Sequence, residues 1–128
     1  MPKRKLLVVD DEESIRDVLS QLFSKAGYIV RLAESAENGL QLALKENIHV
    51  MFLDLNLPGM NGIELCQRIR KERPMAIIHA VTGYPSIFEL SACREAGFDD
   101  YFTKPVNLQW LARAAEIAFE KIERWKRR

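Results

Sequence analysis

Residues 6–11 of the chain are Leu6-Leu7-Val8-Val9-Asp10-Asp11, four apolar side chains followed at once by two acids. A run this short, apolar at every position and rich in valine, is typical of a strand buried on both faces of a parallel sheet. Similar short apolar runs follow at residues 28–32, 50–53, 76–81 and 101–102. These runs predict five strands, the first of which ends in a pair of carboxylates.

Helical patterns separate the apolar runs. The first is a single apolar stripe at helical spacing, made of Ile15, Val18, Leu19, Leu22 and Ala26. Gly27 then provides a left-handed C-cap, Pro74 follows the third helix, and Gly97 ends the fourth. The other helices are each preceded by a cap residue: Ser35 before 36–46, Asn61 before 62–72, Ser86 before 87–96 and Asn107 before the last helix.

Strand and helix therefore alternate five times, as (βα)₅. Because crossovers between parallel strands are right-handed, the helices should cover both faces of the sheet. Five units are too few to close an eight-fold barrel. We predict an α/β, flavodoxin-like three-layer sandwich with a five-stranded parallel sheet of order 2-1-3-4-5. That fold supports many unrelated activities, so function must be argued from a site.

The composition is that of one soluble globular domain, with 128 residues and a formal net charge of +1. Nothing in that charge attracts nucleic acid or a membrane surface, and no apolar run approaches the about 20 residues of a membrane span. Cys66 and Cys93 are far apart and lack a CxxC pattern, which favours free thiols over a disulfide or a zinc site. We expect a cytoplasmic protein that binds neither membranes nor, directly, nucleic acid.

Polar residues collect where the predicted strands end, and ligands of open parallel sheets bind beyond that edge. Asp10 and Asp11 follow the first strand, Asp54 the third, Thr82 the fourth, and Lys104 lies just after the fifth. Taken singly, each has a structural explanation, such as a helix start, a strand end or a solvated charge. Together, clustered carboxylates need a cation, and magnesium prefers oxygen ligands and accepts phosphate oxygens. A lysine and a threonine nearby could bind the other phosphoryl oxygens.

Four segments, in matching order and spacing, resemble the receiver domains of response regulators. They are Leu7-Val8-Val9-Asp10-Asp11-Glu12, Phe52-Leu53-Asp54-Leu55-Asn56-Leu57-Pro58-Gly59-Met60-Asn61-Gly62, Val81-Thr82-Gly83 and Ala96-Gly97-Phe98-Asp99-Asp100-Tyr101-Phe102-Thr103-Lys104-Pro105. The resemblance covers essentially the whole chain. It implies a phosphoacceptor switch of a two-component system, phosphorylated by a sensor histidine kinase or a phosphotransfer protein, and not an enzyme acting on a separate substrate.

The resemblance also implies a role for each acidic residue. Asp54 matches the phosphoacceptor, whose carboxylate attacks the phosphorus of a donor. Asp11 and Asp54 would bind Mg²⁺ through their side chains, and Asn56 would bind it through its backbone carbonyl. Asp10 would complete the acidic cluster through a metal-bound water.

Further roles follow for the other residues of the motifs. Lys104 would pair with Asp54 or with phosphoryl oxygens. The Lys104–Pro105 bond, which is usually cis in the family, would orient the lysine. Thr82 would turn its hydroxyl toward the phosphoryl group, and Gly83 would leave room and a backbone donor there. Tyr101 matches the switch aromatic, which rotates inward when Thr82 moves.

Several signals beyond the motifs allow two interpretations. Tyr84 could shield the phosphoryl group from water or be a half-exposed loop aromatic. His49 and His79 lack the surroundings of a kinase phosphoacceptor and are predicted to be structural. Phe88 and Cys93 give the fourth helix more apolar surface than one buried stripe uses, which suits a partner face or core packing.

The last helix has heptad-like spacing over Leu108, Leu111, Ala115, Ala118, Ile122 and Trp125, and packing on the sheet explains most of it. We expect residues 1–128 to form a single receiver domain, whose last helix extends toward an output domain that is absent from this chain or was removed. The predicted surface of a homodimer comprises the fourth helix, fifth strand and fifth helix, with Phe88, Trp110 and the heptad-spaced stripe that ends at Trp125.

Two functions of other classes compete with this interpretation. A haloacid-dehalogenase-like phosphotransfer enzyme also uses an aspartyl nucleophile with magnesium, but its nucleophile lies in an Asp-x-Asp motif after the first strand. Here Asp10 and Asp11 are adjacent, with no spacer. A nucleotide- or flavin-binding module is less favoured, because no Gly-rich phosphate loop follows the first strand.

Overall fold

The computed structural model describes residues 3–83 and 87–127, and side chains for residues 3–83 and 89–127. Tyr84, Ser86 and the Phe88 side chain lie outside these residues, so what the sequence predicts for them stays a prediction. Within the described residues, no helix is both long and apolar enough to cross a membrane.

Five strands alternate with five helices in the described part of the chain. In chain order they are β1 (Lys5–Val9), α1 (Glu13–Lys25), β2 (Ile29–Ala33), α2 (Ala36–Lys45), β3 (Val50–Asp54), α3 (Gly62–Glu72), β4 (Ile77–Thr82), α4 (Ile87–Ala96), β5 (Asp100–Thr103) and α5 (Leu108–Lys126). All pairings are parallel, and the strand order is β2-β1-β3-β4-β5. The predicted flavodoxin-like fold and strand order are confirmed.

Side chains of each central strand alternate between two hydrophobic cores. In β1, Leu6 and Val8 face a core shared with α1 and α5, whereas Leu7 and Val9 face a core shared with α2, α3 and α4. Because a strand sends successive side chains to opposite faces, both faces of the sheet are covered by packed helices. The sheet is thus the middle layer of three.

The expectation that all five strands are buried on both faces holds for β1, β3 and β4 but is wrong for β2 and β5. Leu32 in β2 is 38% exposed and Tyr101 in β5 is 43% exposed. Both strands lie at edges of the sheet, where neighbouring helices cover only part of each face. The apolar runs identify the strands correctly, and their place in the sheet sets the burial.

The apolar stripe predicted for α1 is also partly wrong. Leu19 and Phe23 are its buried centre, while Val18 is 40% exposed and Ala26 is exposed as well. The Phe23 ring stacks on Phe52 of β3, with centroids 5.0 Å apart, so the helix turns the phenylalanine inward. The buried face is therefore rotated from the predicted one.

The predicted caps form hydrogen bonds where they are described. Ser35 accepts from the Asn38 N–H, Asn61 from the Glu64 N–H and Asn107 from the Trp110 N–H. Gly27 and Gly97 have φ of +93° and +102°, the left-handed conformation predicted for C-caps. Helix α2 ends at Lys45, one residue before the predicted end.

In α5, four residues of the predicted stripe are buried: Leu111, Ala115, Ala118 and Ile122. Its end residues are not, since Leu108 is 38% and Trp125 is 53% exposed. Phe119 is a further buried residue that heptad spacing does not include. Most of the stripe therefore packs on the sheet, as predicted, and is not available to a partner.

The cysteines are free thiols and the histidines occupy structural positions, as the sequence predicts. Cys66 and Cys93 are buried free thiols. His79 lies within β4, stacked on Phe52 at 4.3 Å between ring centroids, with its Nδ1 atom 2.9 Å from the Met51 carbonyl oxygen. His49 immediately precedes β3, at the predicted strand entrance.

Candidate functional site

The carboxyl ends of two neighbouring central strands, β1 and β3, bring acidic side chains to one place. Asp10 follows β1 directly, and Asp54 is the last residue of β3. One carboxylate oxygen from each of Asp10, Asp11, Glu12 and Asp54 lies within 4.8 Å of the others. Asp10 is 2% exposed and Asp54 is 4% exposed, so two of these charges are largely removed from water.

Lys104 contacts three of these carboxylates at once. Its Nζ atom is 2.9 Å from Glu12 Oε1, 3.0 Å from Asp10 Oδ2 and 3.3 Å from Asp54 Oδ2. The residue follows β5, and its backbone N–H donates to the Thr82 carbonyl oxygen at 2.8 Å. The Lys104–Pro105 peptide bond is cis, as the family resemblance implies.

Local hydrogen bonds orient the two buried carboxylates. Asp10 Oδ1 accepts from the Glu12 N–H at 2.9 Å, and Asp54 Oδ1 accepts from the Asn56 N–H at 3.1 Å. Bonds of an aspartate to the N–H two residues later are characteristic of turns. Each carboxylate thus uses one oxygen for its own turn and directs the other toward Lys104.

Gly62, the first residue of α3, allows close packing behind Asp54. A Cβ atom at this position would lie 2.2 Å from the Asp54 carbonyl oxygen and 2.8 Å from the Leu55 Cα. The Gly62 N–H also donates to the Leu55 carbonyl oxygen at 3.0 Å. No larger residue fits here unless the backbone that carries Asp54 moves.

The electrostatics reflect burial of like charges around one cation. Burial raises the pKa of the Asp54 carboxyl above its ordinary value, the negative charge of Asp10 adds to this, and the Asn56 N–H and Lys104 oppose it. Burial likewise raises the pKa of Asp10, against its hydrogen bonds from Glu12 and Lys104. For Lys104, burial acts to lower the pKa, but the bonds to Glu12 and Asp10 outweigh it and the pKa is raised.

Thr82 is the last residue of β4 and lies at the same edge of the sheet. It is 0% exposed, and among the described residues its Oγ1 is the buried side-chain oxygen or nitrogen without a hydrogen-bond partner. A buried hydroxyl without a partner costs free energy, which an incoming oxygen ligand could recover. The Thr82 hydroxyl without a partner therefore favours a ligand that is an anion or carries oxygen atoms.

Tyr101 and Asn56 complete the predicted site residues. Tyr101 is paired in register with Ala80 and is 43% exposed, so its ring lies toward solvent. Asn56 is exposed and lines, with Asp11 and Glu89, a groove of about 600 Å³ between the β3–α3 loop and α4. A space suited to a ligand therefore opens beside the acidic cluster.

The residues present fit a bound Mg²⁺. The donors are hard carboxylate oxygens, and Asp11 is exposed, which leaves room for water molecules on the ion. A divalent cation would also stabilise the charged forms of the two buried carboxylates, whose pKa values are raised, because it offsets their mutual repulsion. The predicted residues Asp10, Asp11 and Asp54 lie together as such a site requires.

Two contacts were not foreseen from the sequence. Glu12 is the nearest carboxylate to Lys104, and its only signal was its place directly after the two aspartates. Arg16 donates from Nη1 to the Asp10 carbonyl oxygen at 2.7 Å and so ties α1 to the acidic loop. The position of Arg16, one turn into a helix, does not by itself predict this contact.

A family model and two curated relatives match most of the chain. A family model described as the response regulator receiver domain matches residues 6–116. The chain is 37% identical over 106 residues to the cyclic di-GMP phosphodiesterase of Thermotoga maritima, covering 83% of this chain and 28% of that protein. It is 39% identical over 107 residues to the uncharacterized transcriptional regulatory protein YrkP of Bacillus subtilis, covering 84% and 46% respectively. The chain therefore spans less than half the length of these curated relatives.

Among solved structures, the chain resembles a CheY-like response regulator receiver domain protein from Methanospirillum hungatei. The TM-score is 0.89 at 33% identity, over 96% of this chain and 99% of the other. The fold, the cluster of carboxylates with Lys104, and the family match over most of the sequence agree. The chain belongs to the response regulator receiver domain family.

Proposed function

We propose that Asp54 accepts a phosphoryl group and thereby switches the protein between two states. The observation that carries this is the contact of the buried Asp54 carboxylate with Lys104 at 3.3 Å, at a sheet edge that also holds the unpartnered Thr82 hydroxyl. A carboxylate oxygen of Asp54 attacks the phosphorus of the donor, and the donor's leaving group departs with the bonding electron pair. Such a transfer needs mainly positioning and charge neutralisation from the protein.

Asp11 and Asp54 would hold Mg²⁺ through their side chains, with the Asn56 backbone carbonyl and, through water, Asp10. When bound, the ion supplies positive charge next to the oxygens of the transferred group. The buried Asp10 also keeps Lys104 close to Asp54, since Lys104 contacts both carboxylates. Lys104 and the bound ion would then both offset the charge of a phosphoryl dianion.

Thr82 and Tyr101 would transmit the change. A phosphoryl group brings about two negative charges and three acceptor oxygens. The Thr82 hydroxyl, which has no hydrogen-bond partner, would donate a hydrogen bond to one of those oxygens and leave space beside β5. Tyr101, now exposed at the sheet edge, turns into that space.

The output would be a changed partner surface on α4, β5 and α5, most simply a homodimer. The stripe residues Leu111, Ala115, Ala118 and Ile122 are buried. The surface on α5 therefore consists instead of exposed side chains such as Trp110 at 65% and Ile117 at 48%. Sedimentation with magnesium and beryllofluoride, an acyl-phosphate mimic, should show a larger species than magnesium alone, and Tyr101→Ala should reduce the difference. Identical sedimentation across a wide concentration range would exclude the dimer.

The phosphoryl donor would be a sensor histidine kinase or a phosphotransfer protein. Residues 1–128 would form a single receiver domain located in the cytoplasm. It would catalyse only its own phosphorylation and slow dephosphorylation. The haloacid-dehalogenase alternative is not supported, because the family match is to receiver domains and Asp10 and Asp11 are adjacent after β1. The phosphodiesterase name belongs to a relative of which this chain matches 28%.

Acetyl phosphate with magnesium tests this function. We expect one covalent phosphoryl adduct and no continued turnover of other phosphate esters. Rapid hydrolysis of such esters without an adduct would instead favour a phosphotransfer enzyme.

A further inference from the structure

Glu12 is the nearest partner of the Lys104 ammonium, yet none of the roles assigned above uses it. Glu12 Oε1 lies 2.9 Å from Lys104 Nζ, closer than Asp54 Oδ2 at 3.3 Å. The Glu12 side chain is 57% exposed, whereas that of Asp54 is 4% exposed. The closest partner of the lysine is therefore also the one that water can most easily replace.

The backbone keeps Glu12 beside the site while its side chain remains free to turn. Its N–H donates to Asp10 Oδ1 at 2.9 Å, and its carbonyl oxygen accepts from the Arg16 N–H at 3.1 Å. Both bonds tie the Glu12 main chain to the acidic loop and to the first turn of α1. The carboxylate can then leave Lys104 by rotation alone.

An ammonium group has three protons, and three carboxylates already surround Lys104. A phosphoryl oxygen on Asp54 must therefore compete with the carboxylates for these three protons. Asp10 is 2% exposed and held by the Glu12 N–H, and Asp54 carries the phosphoryl group itself. Glu12 is the partner that can move into water.

We propose, on the basis of the function proposed above, that Glu12 is a positioning residue that occupies the phosphoryl group's place on Lys104 in the resting protein. It thereby competes with the phosphoryl group and weakens the phosphorylated state. Removing its charge should favour a phosphoryl mimic and disfavour a cation, because one carboxylate fewer faces the site. A general loosening of the loop would weaken binding of both the phosphoryl mimic and the cation. Opposite changes in these two affinities therefore distinguish a positioning role from structural damage.

The test uses Glu12→Gln, with Glu13→Gln as the matched control. Glu13 is exposed, carries the same charge one residue later, and none of the ion pairs of residues 3–83 and 87–127 joins it to Lys104. Beryllofluoride affinity is measured by fluorine NMR at saturating magnesium, and magnesium affinity is measured separately without beryllofluoride. We expect Glu12→Gln to bind beryllofluoride about two- to fivefold more tightly than wild type, the range for loss of one partly exposed ion pair.

Glu12→Gln should also bind magnesium more weakly, while Glu13→Gln stays close to wild type for beryllofluoride. Equal beryllofluoride affinities of the two variants, or weaker binding by Glu12→Gln, would overturn the proposal and leave the proposed function intact. If the wild type binds no beryllofluoride, or if Asp54→Asn binds it equally well, the proposed function fails and this inference fails with it.

Discussion

The Lys104 ammonium lies 3.3 Å from the Asp54 carboxylate, although 50 positions separate the two residues in the chain. The contact exists because β3 and β5 both pair with β4, so that their carboxyl ends meet at one edge of the sheet. Asp10 also contacts Lys104, at 3.0 Å. One cation therefore offsets two buried carboxylates, and its removal should be costly.

Lys104→Met should destabilise the metal-free protein, because Asp10 and Asp54 lose their shared partner in a largely buried place. We expect a loss of about 1–3 kcal/mol in the free energy of unfolding, the cost of leaving buried polar groups without a partner. Urea denaturation measures it, with Lys71→Met, an exposed lysine on α3, as the control. Magnesium should restore part of the loss for Lys104→Met. Equal stabilities of the two variants would show that Lys104 does not offset these charges.

Magnesium should raise the melting temperature of the wild type, because an ion bound only by the folded state stabilises it by mass action. Asp11→Ala should weaken this effect most, since Asp11 is assigned a direct bond to the ion. Asp17 is a suitable control because it is an exposed acid on α1. A melt that millimolar magnesium leaves unchanged would exclude the site.

The stability of the protein should fall in mild acid because of His79. Burial lowers the pKa of this imidazole, while Nδ1 donates to the Met51 carbonyl oxygen, which can only accept. The unfolded chain then binds more protons below the ordinary pKa of about 6.5, so stability is complete above that pH and declines below it. The slope reaches at most about 1.4 kcal/mol per pH unit for one group.

His79→Phe keeps an aromatic ring against Phe52 and removes the titrating group. Urea denaturation between pH 5 and 7.5 should therefore show a flatter profile for this variant than for wild type. Burial also lowers the pKa of His49, so part of the slope should remain. Profiles that coincide would mean that His79 does not titrate in this range.

Gly62→Ala should be more damaging than Gly39→Ala. A Cβ at Gly62 would meet the Asp54 carbonyl oxygen at 2.2 Å, whereas one at Gly39 would meet the Val9 Cγ2 at 2.7 Å, and a side chain can shift more easily than backbone. We expect the Gly62 variant to lose about 1–3 kcal/mol of stability, the usual cost of overpacking, and Gly39→Ala to lose less. Thermal melts of both variants check the order. Gly62→Ala should also weaken beryllofluoride binding, since Asp54 would have to move.

Much of the fold and site follows from local patterns in the sequence. Strand ends marked by Asp10, Asp54 and Thr82 predict which residues meet, because all parallel strands end at one edge. What local pattern could not give is geometry that depends on neighbours. The exposure of Leu32 depends on β2 being an edge strand, and the inward turn of Phe23 depends on Phe52 across the core. The Glu12 contact depends on where Lys104 ends up, 92 positions later.

The central claim is that Asp54 is the phosphoacceptor, and intact-protein mass spectrometry after incubation with acetyl phosphate and magnesium tests it most directly. Wild type should gain one phosphoryl group, and Asp54→Asn, checked for a normal circular dichroism spectrum, should gain none. A folded Asp54→Asn protein that takes up the phosphoryl group at the wild-type rate would contradict the claim.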